Sequence, residues 1–185
     1  MAQTKTTPQT LLWLDLEMTG LDPAKDVILE VAAIVTDWNF TELASFESGV
    51  QQNREIADAL LAINPFAMSR PTETQQLLDV SLAGLPEKTA EDRLIELVDK
   101  YCPRDEVALL AGNSIHTDRQ FIRVYWPNLE RRLHYRMLDV SAWKVVMQAK
   151  HNLEFTKKET HRALDDIRES IAELEYYLQY IKVEK

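Results

Sequence analysis

The chain has 185 residues, which is long enough for one domain to bury a sizeable hydrophobic core. Its composition is 45% hydrophobic and 28% charged with only four glycines, which excludes a fibrous or low-complexity protein. The net charge of −9 disfavours binding of a long duplex or a long single strand, because such binding depends on lysine and arginine neutralising phosphates. A short nucleic acid remains compatible with this charge, since it presents few phosphates and metal ions can supply positive charge.

The sequence carries no signal that directs it to a membrane or out of the cell. Residues 1–10 are polar, lack the apolar segment of a secretory signal, and are expected to be flexible. No apolar run approaches the roughly 20 residues that span a bilayer. The one cysteine, Cys102, excludes an intrachain disulfide and is expected to serve in packing. We therefore expect a single domain over residues 1–185, located in the cytoplasm and not bound to a membrane.

The first fifty residues predict three β-strands. Residues 11–16 are a short apolar run that ends in a carboxylate, residues 27–37 are rich in β-branched side chains, and residues 42–50 follow a turn. Strands joined by short turns are typical of an antiparallel meander.

Helices dominate after residue 53, with two further strands between them. The predicted helices cover residues 55–62, 72–82, 89–101, 116–125, 128–133, 139–150 and 162–181, and the predicted strands cover residues 106–112 and 135–138. Thr89 is expected to cap the start of its helix, with Asp92 completing a capping box. This order predicts an α/β fold, with a mixed five-stranded sheet of an antiparallel meander plus parallel strands, flanked by helices.

Asp15 and Glu17 are the first candidates for chemistry. They stand two residues apart at the end of an apolar strand, so their side chains point to the same side. Carboxylates beside a buried strand are costly unless they are paired or bound to a metal, and a divalent cation would relieve their mutual repulsion. Taken alone, such a pair is more often two exposed acids at a strand end.

Asp118 follows a predicted buried strand and lies near the start of a helix. An acid at this place can simply favour the helix dipole. Its value as a site residue therefore depends on whether it meets the other acids.

The last helix carries a third set of candidates. Its predicted buried face recurs at steps of three and four and comprises Ala163, Ile167, Ile171, Leu174, Leu178 and Ile181. Asp166 lies at the edge of this face, whereas Asp165 lies nearly opposite and is expected to be solvated. His161 can converge with Asp166 only from a loop before the helix, where it could act as a general base or be a simple surface residue.

Together, four acids and one histidine could meet at one edge of the sheet. Carboxylates are the preferred ligands of Mg²⁺ and Mn²⁺. Two such ions about 3.5–4 Å apart can hold the attacking and the leaving oxygen of a phosphodiester. The sequence offers no cysteine and histidine set typical of zinc, no phosphate-binding P-loop and no hydrolase elbow.

The spacing Asp15-x-Glu17, Asp118 and His161-x-x-x-x-Asp166 resembles the motifs of DEDDh exonucleases. Four longer strings, at residues 13–22, 112–115, 134–141 and 160–170, resemble the oligoribonuclease family, and the resemblance extends from about residue 11 to residue 180. It implies a ribonuclease-H-like fold and a 3′→5′ exoribonuclease that degrades very short RNA to nucleoside 5′-monophosphates.

The resemblance also implies catalytic roles. Asp15, Glu17 and Asp166 would hold two Mg²⁺ or Mn²⁺ ions, with Asp118 completing the site directly or through water. His161 would take a proton from the attacking water.

Substrate contacts follow from the same resemblance. Leu21 would wedge against the bases, and Ser114, Arg136 and Ser141 would recognise the 5′ end of a single-stranded RNA of about two to five nucleotides. His134 and Tyr135 belong to the same substrate-binding string. Members of the family are homodimers, and Tyr135 is treated as an active-site residue that reaches toward the partner's substrate. The alternative for this string is a half-exposed edge strand.

One position departs from the family. Most members carry an Asp-Trp-Asn string whose tryptophan stacks on a base, and here Ile63 stands in place of the tryptophan and offers no π-face. Two rival functions remain: a DEDDh exonuclease that acts on longer RNA or DNA, of the proofreading or tRNA-trimming kind, and a non-catalytic binding module. The loss of one acid would indicate the binding module, and none of the four acids is missing.

Overall fold

A computed structural model describes residues 8–156 and 163–182. Its centre is one six-stranded sheet with the strand order β4-β3-β2-β1-β5-β6. The strands are β1 Leu11–Met18, β2 Ile28–Thr36, β3 Glu42–Gln51, β4 Leu85–Pro86, β5 Ala108–Gly112 and β6 Leu133–Asp139. β1, β2 and β3 form the antiparallel meander, while β5 pairs in parallel with both β1 and β6.

Helices cover both faces of this sheet. They are α1 Arg54–Ala62, α2 Pro65–Met68, α3 Pro71–Leu82, α4 Glu87–Tyr101, α5 His116–Tyr125, α6 Pro127–Glu130, α7 Val140–His151 and α8 Ala163–Leu178. Within the described ranges, no helix combines the length and the apolar character that crossing a membrane requires.

The predicted mixed α/β architecture is confirmed, but the count of five strands is wrong. The sixth strand, β4, has only two residues and pairs in parallel with the end of β3. β4 can pair with β3 because glycines at two positions let the backbones of neighbouring segments approach closely. A Cβ at Gly49 would lie 2.0 Å from the carbonyl oxygen of Val80. A Cβ at Gly84 would lie 2.2 Å from the backbone of Gly49. Contact of this kind depends on the tertiary structure and leaves no periodic pattern in the sequence.

Three predicted helix ends are also wrong, of which the first is the end of α8 at Leu178 instead of residue 181. α4 begins at Glu87 with Pro86 at its N-cap position, so Thr89 lies inside the helix and does not cap it. α6 ends at Glu130 instead of continuing to residue 133, because Leu133 already belongs to β6.

Alternation along β1 divides the core into two layers. Leu12, Leu14 and Leu16 pack with residues of α4 and α5 on one side of the sheet. Leu11 and Trp13 pack with residues of α8 on the other side. Since side chains alternate along a strand, the next two odd-numbered positions of β1 also face the side covered by α8.

The buried face of α8 matches the prediction at Ala163, Ile167, Ile171 and Leu174, but not beyond them. Leu178 and Ile181, predicted to be buried, are 36% and 40% exposed, and Tyr177 is fully buried in their place. The buried stripe thus continues by a step of three from Leu174 and stops at Tyr177, one residue before the helix ends at Leu178.

β1 and β5 separate at the end of the sheet where the acids lie. Their ladder runs only from Leu11 to Trp13 on β1. Just beyond it, Gly112 approaches β1 so closely that a Cβ there would lie 2.8 Å from the carbonyl oxygen of Leu14. After Gly112 the chain leads into α5, and Asp118 in the first turn of this helix bonds to the backbone of β1. The carboxyl ends of β1, β5 and β6 consequently meet at one edge, the usual position of a site in an α/β sheet.

Candidate active site

Asp15 and Glu17 lie on the face of β1 that α8 covers, and both side chains are half-buried. They extend the row of Leu11 and Trp13, so the apolar layer ends where the carboxylates begin. The predicted common orientation of the two acids is confirmed by this register. Glu30 on β2 lies directly opposite Glu17 and is a third acid on the same face.

Asp118 approaches β1 from α5, the helix that follows β5. It lies in the first turn of α5 and is only 6% exposed. Its Oδ1 accepts a hydrogen bond of 2.9 Å from the backbone N–H of Leu16, the residue between Asp15 and Glu17. Asp118 is therefore a buried acid held against β1, and not merely an exposed residue that favours a helix dipole.

The surroundings of Asp118 disfavour its charged form. Its pKa is raised from 3.8 to about 7, with burial as the largest cause; the hydrogen bond from the Leu16 N–H opposes the rise, and the negative charges of Glu17 and Asp139 add to it. A carboxylate in such a place gains strongly from a nearby cation, because the cation offsets both the lost hydration and the like charges.

Asp166 lies in the first turn of α8 and is half-buried. Its neighbours Ala163 and Ile167 are buried against the layer that contains Leu11 and Trp13. Asp165 instead forms a partly exposed ion pair with Arg168, with a distance of 3.4 Å between the Nη1 and Oδ1 atoms. Both acids are half-buried, so the predicted difference between them stays a prediction.

His161, the predicted general base, lies outside the described residues, so its position stays a prediction. Among the residues that the structure does describe, no three acids, histidines or cysteines lie close enough together to form a metal site. The chemistry of the acids nevertheless fits a hard divalent cation, since carboxylate oxygens are its preferred ligands and Asp118 is a buried carboxyl beside a second acid.

A second polar cluster lies where β5 and β6 end. Ser114, with a positive φ of 49°, donates its backbone N–H to Asp139 Oδ1 at 3.0 Å and to Ser141 Oγ at 2.9 Å. The hydroxyls of Ser114 and Ser141 lie 3.1 Å apart, and Asp139 Oδ1 also accepts from the backbone N–H of Ser141. The structure thus brings together two serines that are 27 residues apart in sequence.

The string from His134 to Arg136 lies on β6, at the edge of the sheet. Tyr135 is 63% exposed, with the His134 ring 4.4 Å and the Arg136 guanidinium 5.3 Å from its ring centre. The buried side chain of Arg119 supports this edge, since its Nη1 donates to the backbone carbonyls of His134 at 2.8 Å and Tyr135 at 3.2 Å. An exposed edge strand and a substrate-binding surface are both compatible with this arrangement.

Leu21 lies in the loop after β1 and is 75% exposed. Ile63, which is equally exposed, follows the end of α1. The side chain of Asn64 donates a hydrogen bond of 2.7 Å to the carbonyl oxygen of Thr19 and so ties this corner to the loop after β1. Two exposed apolar side chains therefore lie on adjoining segments beside the acidic end of β1.

Sequence reasoning missed Glu30, Asp139 and Asn113 as members of the two polar clusters. Glu30 is the one charged residue of β2, and this isolated charge in an apolar strand was a usable signal. Asp139 and Asn113 follow parallel strands at their carboxyl ends, where polar residues of α/β sheets tend to gather.

Comparison with known proteins shows which family the chain resembles. The model of the exonuclease family matches residues 12–174. An oligoribonuclease of Francisella tularensis is 42% identical over 171 residues, which covers 91% of this chain and 94% of the relative. An oligoribonuclease of Pasteurella multocida is 42% identical over 175 residues, which covers 93% and 94% of the two chains.

Solved structures of exonuclease I share the fold. The Escherichia coli enzyme in complex with a labelled dT13 oligonucleotide has a TM-score of 0.63 and 14% identity, over 94% of this chain and 41% of that one. The enzyme from Methylocaldum szegediense has a TM-score of 0.58 and 19% identity, over 88% and 39%. The chain thus spans about two fifths of the length of these structures, and identities this low show the fold alone.

Because the exonuclease family model covers most of the chain, the chain is an exonuclease, a class that depends on divalent metal ions. Within that class, the chain belongs to the oligoribonuclease family, and it is a 3′→5′ exoribonuclease. The family resemblance inferred from the four sequence strings is confirmed.

Proposed function

We propose that this enzyme degrades single-stranded RNA of about two to five nucleotides, and dinucleotides above all, to nucleoside 5′-monophosphates with two Mg²⁺ or Mn²⁺ ions. The observation that carries the proposal is the buried carboxyl of Asp118, bonded to the backbone of β1 between Asp15 and Glu17. Such an arrangement is costly without a cation, and its position suits chemistry at a phosphodiester.

In this proposal, Asp15, Glu17 and Asp166 hold the two ions, and Asp118 completes the site directly or through water. The bound ions would stabilise charge that develops on the phosphate and would lower the pKa of a bound water. The Leu16 N–H orients the carboxyl of Asp118. Because burial disfavours the ionised form of this carboxyl, a bound cation would stabilise its negative charge.

His161 is proposed as the general base. It would accept a proton from the water that attacks the last phosphodiester, and the bond from phosphorus to the 3′ oxygen of the preceding nucleotide would break. The terminal nucleotide then leaves as a 5′-monophosphate. A histidine with the ordinary pKa of about 6.5 suits proton transfer near neutral pH.

The polar cluster at the ends of β5 and β6 is proposed to recognise the 5′ end of the substrate. Ser114 and Ser141 present two adjacent hydroxyls, and Arg136 follows in the same strand as His134. An arginine can contact a terminal phosphate through two nitrogens at once. A longer RNA could not end at this cluster, so recognition of the end would favour short substrates.

Leu21 is proposed to contact the bases as an apolar wedge. Ile63 can add apolar contact at the neighbouring corner, but it cannot stack as an aromatic ring does. We expect the affinity for bases to rest more on Leu21 than on stacking.

We further propose that the whole chain acts as one exonuclease domain and forms a homodimer. A single sheet runs through the chain, and α8 returns to pack on β1 and β2. Tyr135 is 63% exposed on the edge strand β6, where it can reach the substrate of a partner subunit. Since short RNA is the proposed substrate, we place the enzyme in the cytoplasm.

The reaction can be tested with an unlabelled RNA pentamer whose 3′-terminal base occurs only once. With magnesium, chromatography should show that this base appears first, as its nucleoside 5′-monophosphate, and EDTA should stop its release. First release of the 5′-terminal nucleotide, products with 3′-phosphates, or equal rates with EDTA would contradict the proposed reaction.

A further inference from the structure

A partly buried network of side-chain hydrogen bonds connects α8 with Ser141 and Ser114, and Asn113 lies at its centre. The Nδ2 of Asn113 donates to Ser170 Oγ at 2.7 Å, and its Oδ1 accepts from Ser141 Oγ at 3.3 Å. Ser170 is only 5% exposed, so the bond to α8 lies in the interior.

The partners of the network determine the orientation of the Asn113 amide. Ser170 Oγ donates to the backbone carbonyl of Asp166 at 2.8 Å and is thereby left to accept from Asn113. The same Nδ2 lies 3.5 Å from Oε2 of Glu173, and an ionised carboxylate can only accept. The NH₂ group therefore faces α8, and the amide oxygen faces Ser141.

Glu173 anchors the network inside the protein. It is 1% exposed, and its Oε1 accepts a hydrogen bond of 2.9 Å from the hydroxyl of Tyr177. Burial raises the pKa of Tyr177 to about 12, so its hydroxyl stays protonated and remains a donor. A buried carboxylate with directed donors holds its partners more rigidly than an exposed one, since no water competes for these bonds.

One amide thus connects the turn that carries Asp166 with the hydroxyls of Ser141 and Ser114. In the proposed function, these two ends of the network hold the two ends of the substrate: the phosphodiester at the acids and the 5′ terminus at the serines. The distance between them decides which RNA length can be seated at both ends. Positioning of this kind is sensitive, because a displacement of about 1 Å can cost about 10²-fold in rate.

We infer that Asn113 is a positioning residue that fixes the distance between the cleavage site and the 5′-end site, and so sets the preference for the shortest RNA. This inference rests on the proposed function. It adds that length selectivity depends on a half-buried residue that has no proposed contact with the RNA.

The test compares kcat and KM for a dinucleotide and for a ten-nucleotide RNA, with magnesium, in wild type, Asn113→Ala and Ser170→Ala. Both variants should lose about tenfold or more in kcat/KM for the dinucleotide, and less than about threefold for the longer RNA. Ser170→Ala removes one hydroxyl only, so it keeps the test valid if Asn113→Ala does not fold. Asn39→Ala, in the exposed turn between β2 and β3, is the matched control and should change neither value.

Arg136→Ala provides the comparison that separates the two hypotheses, because it removes a proposed 5′-end contact directly. If wild type does not prefer the dinucleotide, or if Arg136→Ala leaves the preference intact, the proposed function itself fails. If Arg136→Ala reduces the preference while the two network variants slow both RNAs equally, only the role of Asn113 is overturned. Loss of the preference in all three variants supports both.

Discussion

Replacing Asp166 by alanine is expected to lower the rate of dinucleotide hydrolysis by on the order of 10³-fold or more, while the fold stays intact. Asp166 lies in the first turn of α8, and only its partly buried side chain would be removed. Packing of α8 depends instead on the buried residues Ala163 and Ile167. Turnover with magnesium measures the loss of activity. A thermal melt monitored by circular dichroism shows whether the fold stays intact.

Asp165→Ala is the matched control for this variant. The two acids are adjacent in sequence, but Asp165 pairs with Arg168, and both side chains are about half exposed, at 46% and 47%. A partly exposed ion pair of this kind contributes little, so Asp165→Ala should retain turnover within about threefold of wild type. Magnesium-dependent turnover that survives in Asp166→Ala would refute the assignment, and loss of turnover in Asp165→Ala alone would exchange the roles of the two acids.

Asp118→Asn is expected to remove most of the activity and yet to stabilise the metal-free protein at pH 8. In the folded protein the pKa of Asp118 is raised to about 7, against 3.8 for an ordinary aspartate. Well below pH 3.8 the carboxyl is protonated in both the folded and the unfolded chain and costs nothing. As the pH rises toward 7, the unfolded chain releases this proton while the folded chain retains it, so stability falls.

Asparagine stays neutral at every pH, and its Oδ1 can still accept the bond from the Leu16 N–H. At about 1.4 kcal/mol for each pH unit by which the pKa is raised, the variant should be more stable than wild type at pH 8 by up to about 4 kcal/mol. The difference should shrink toward pH 5. Urea unfolding in EDTA at both pH values measures it, and an equal difference at pH 5 and pH 8 would show that the charge of Asp118 is not its cause.

Magnesium should reduce the stability advantage of Asp118→Asn. If Asp118 helps to hold a cation, added magnesium stabilises wild type by mass action more than it stabilises Asp118→Asn. The same unfolding series with magnesium in place of EDTA therefore links the electrostatic argument to the proposed metal site.

Local patterns predicted the parts of the site that depend on one element. The common face of Asp15 and Glu17 follows from strand alternation, and the difference between Asp165 and Asp166 follows from the helical period. The first feature is present because it needs only the local geometry of one strand, and the second stays a prediction.

Features that depend on contacts between distant segments could not be predicted in this way. The burial of Asp118 results from the separation of β1 and β5 beyond Trp13, which no window of sequence contains. The link from Asn113 to Ser170 joins residues 57 positions apart. Tyr177 is fully buried in place of Leu178, and its hydroxyl bonds to the buried Glu173, a contact that hydropathy alone does not predict.

The most direct test of the central claim is a time course with 5′-labelled RNAs of two to twenty nucleotides, with magnesium and with EDTA. We predict rapid loss of the dinucleotide that depends on magnesium, while the longest RNAs remain nearly unchanged. Efficient shortening of the long RNAs that stops at short products would contradict the proposed preference for short RNA. It would indicate a general exonuclease that does not recognise the 5′ end.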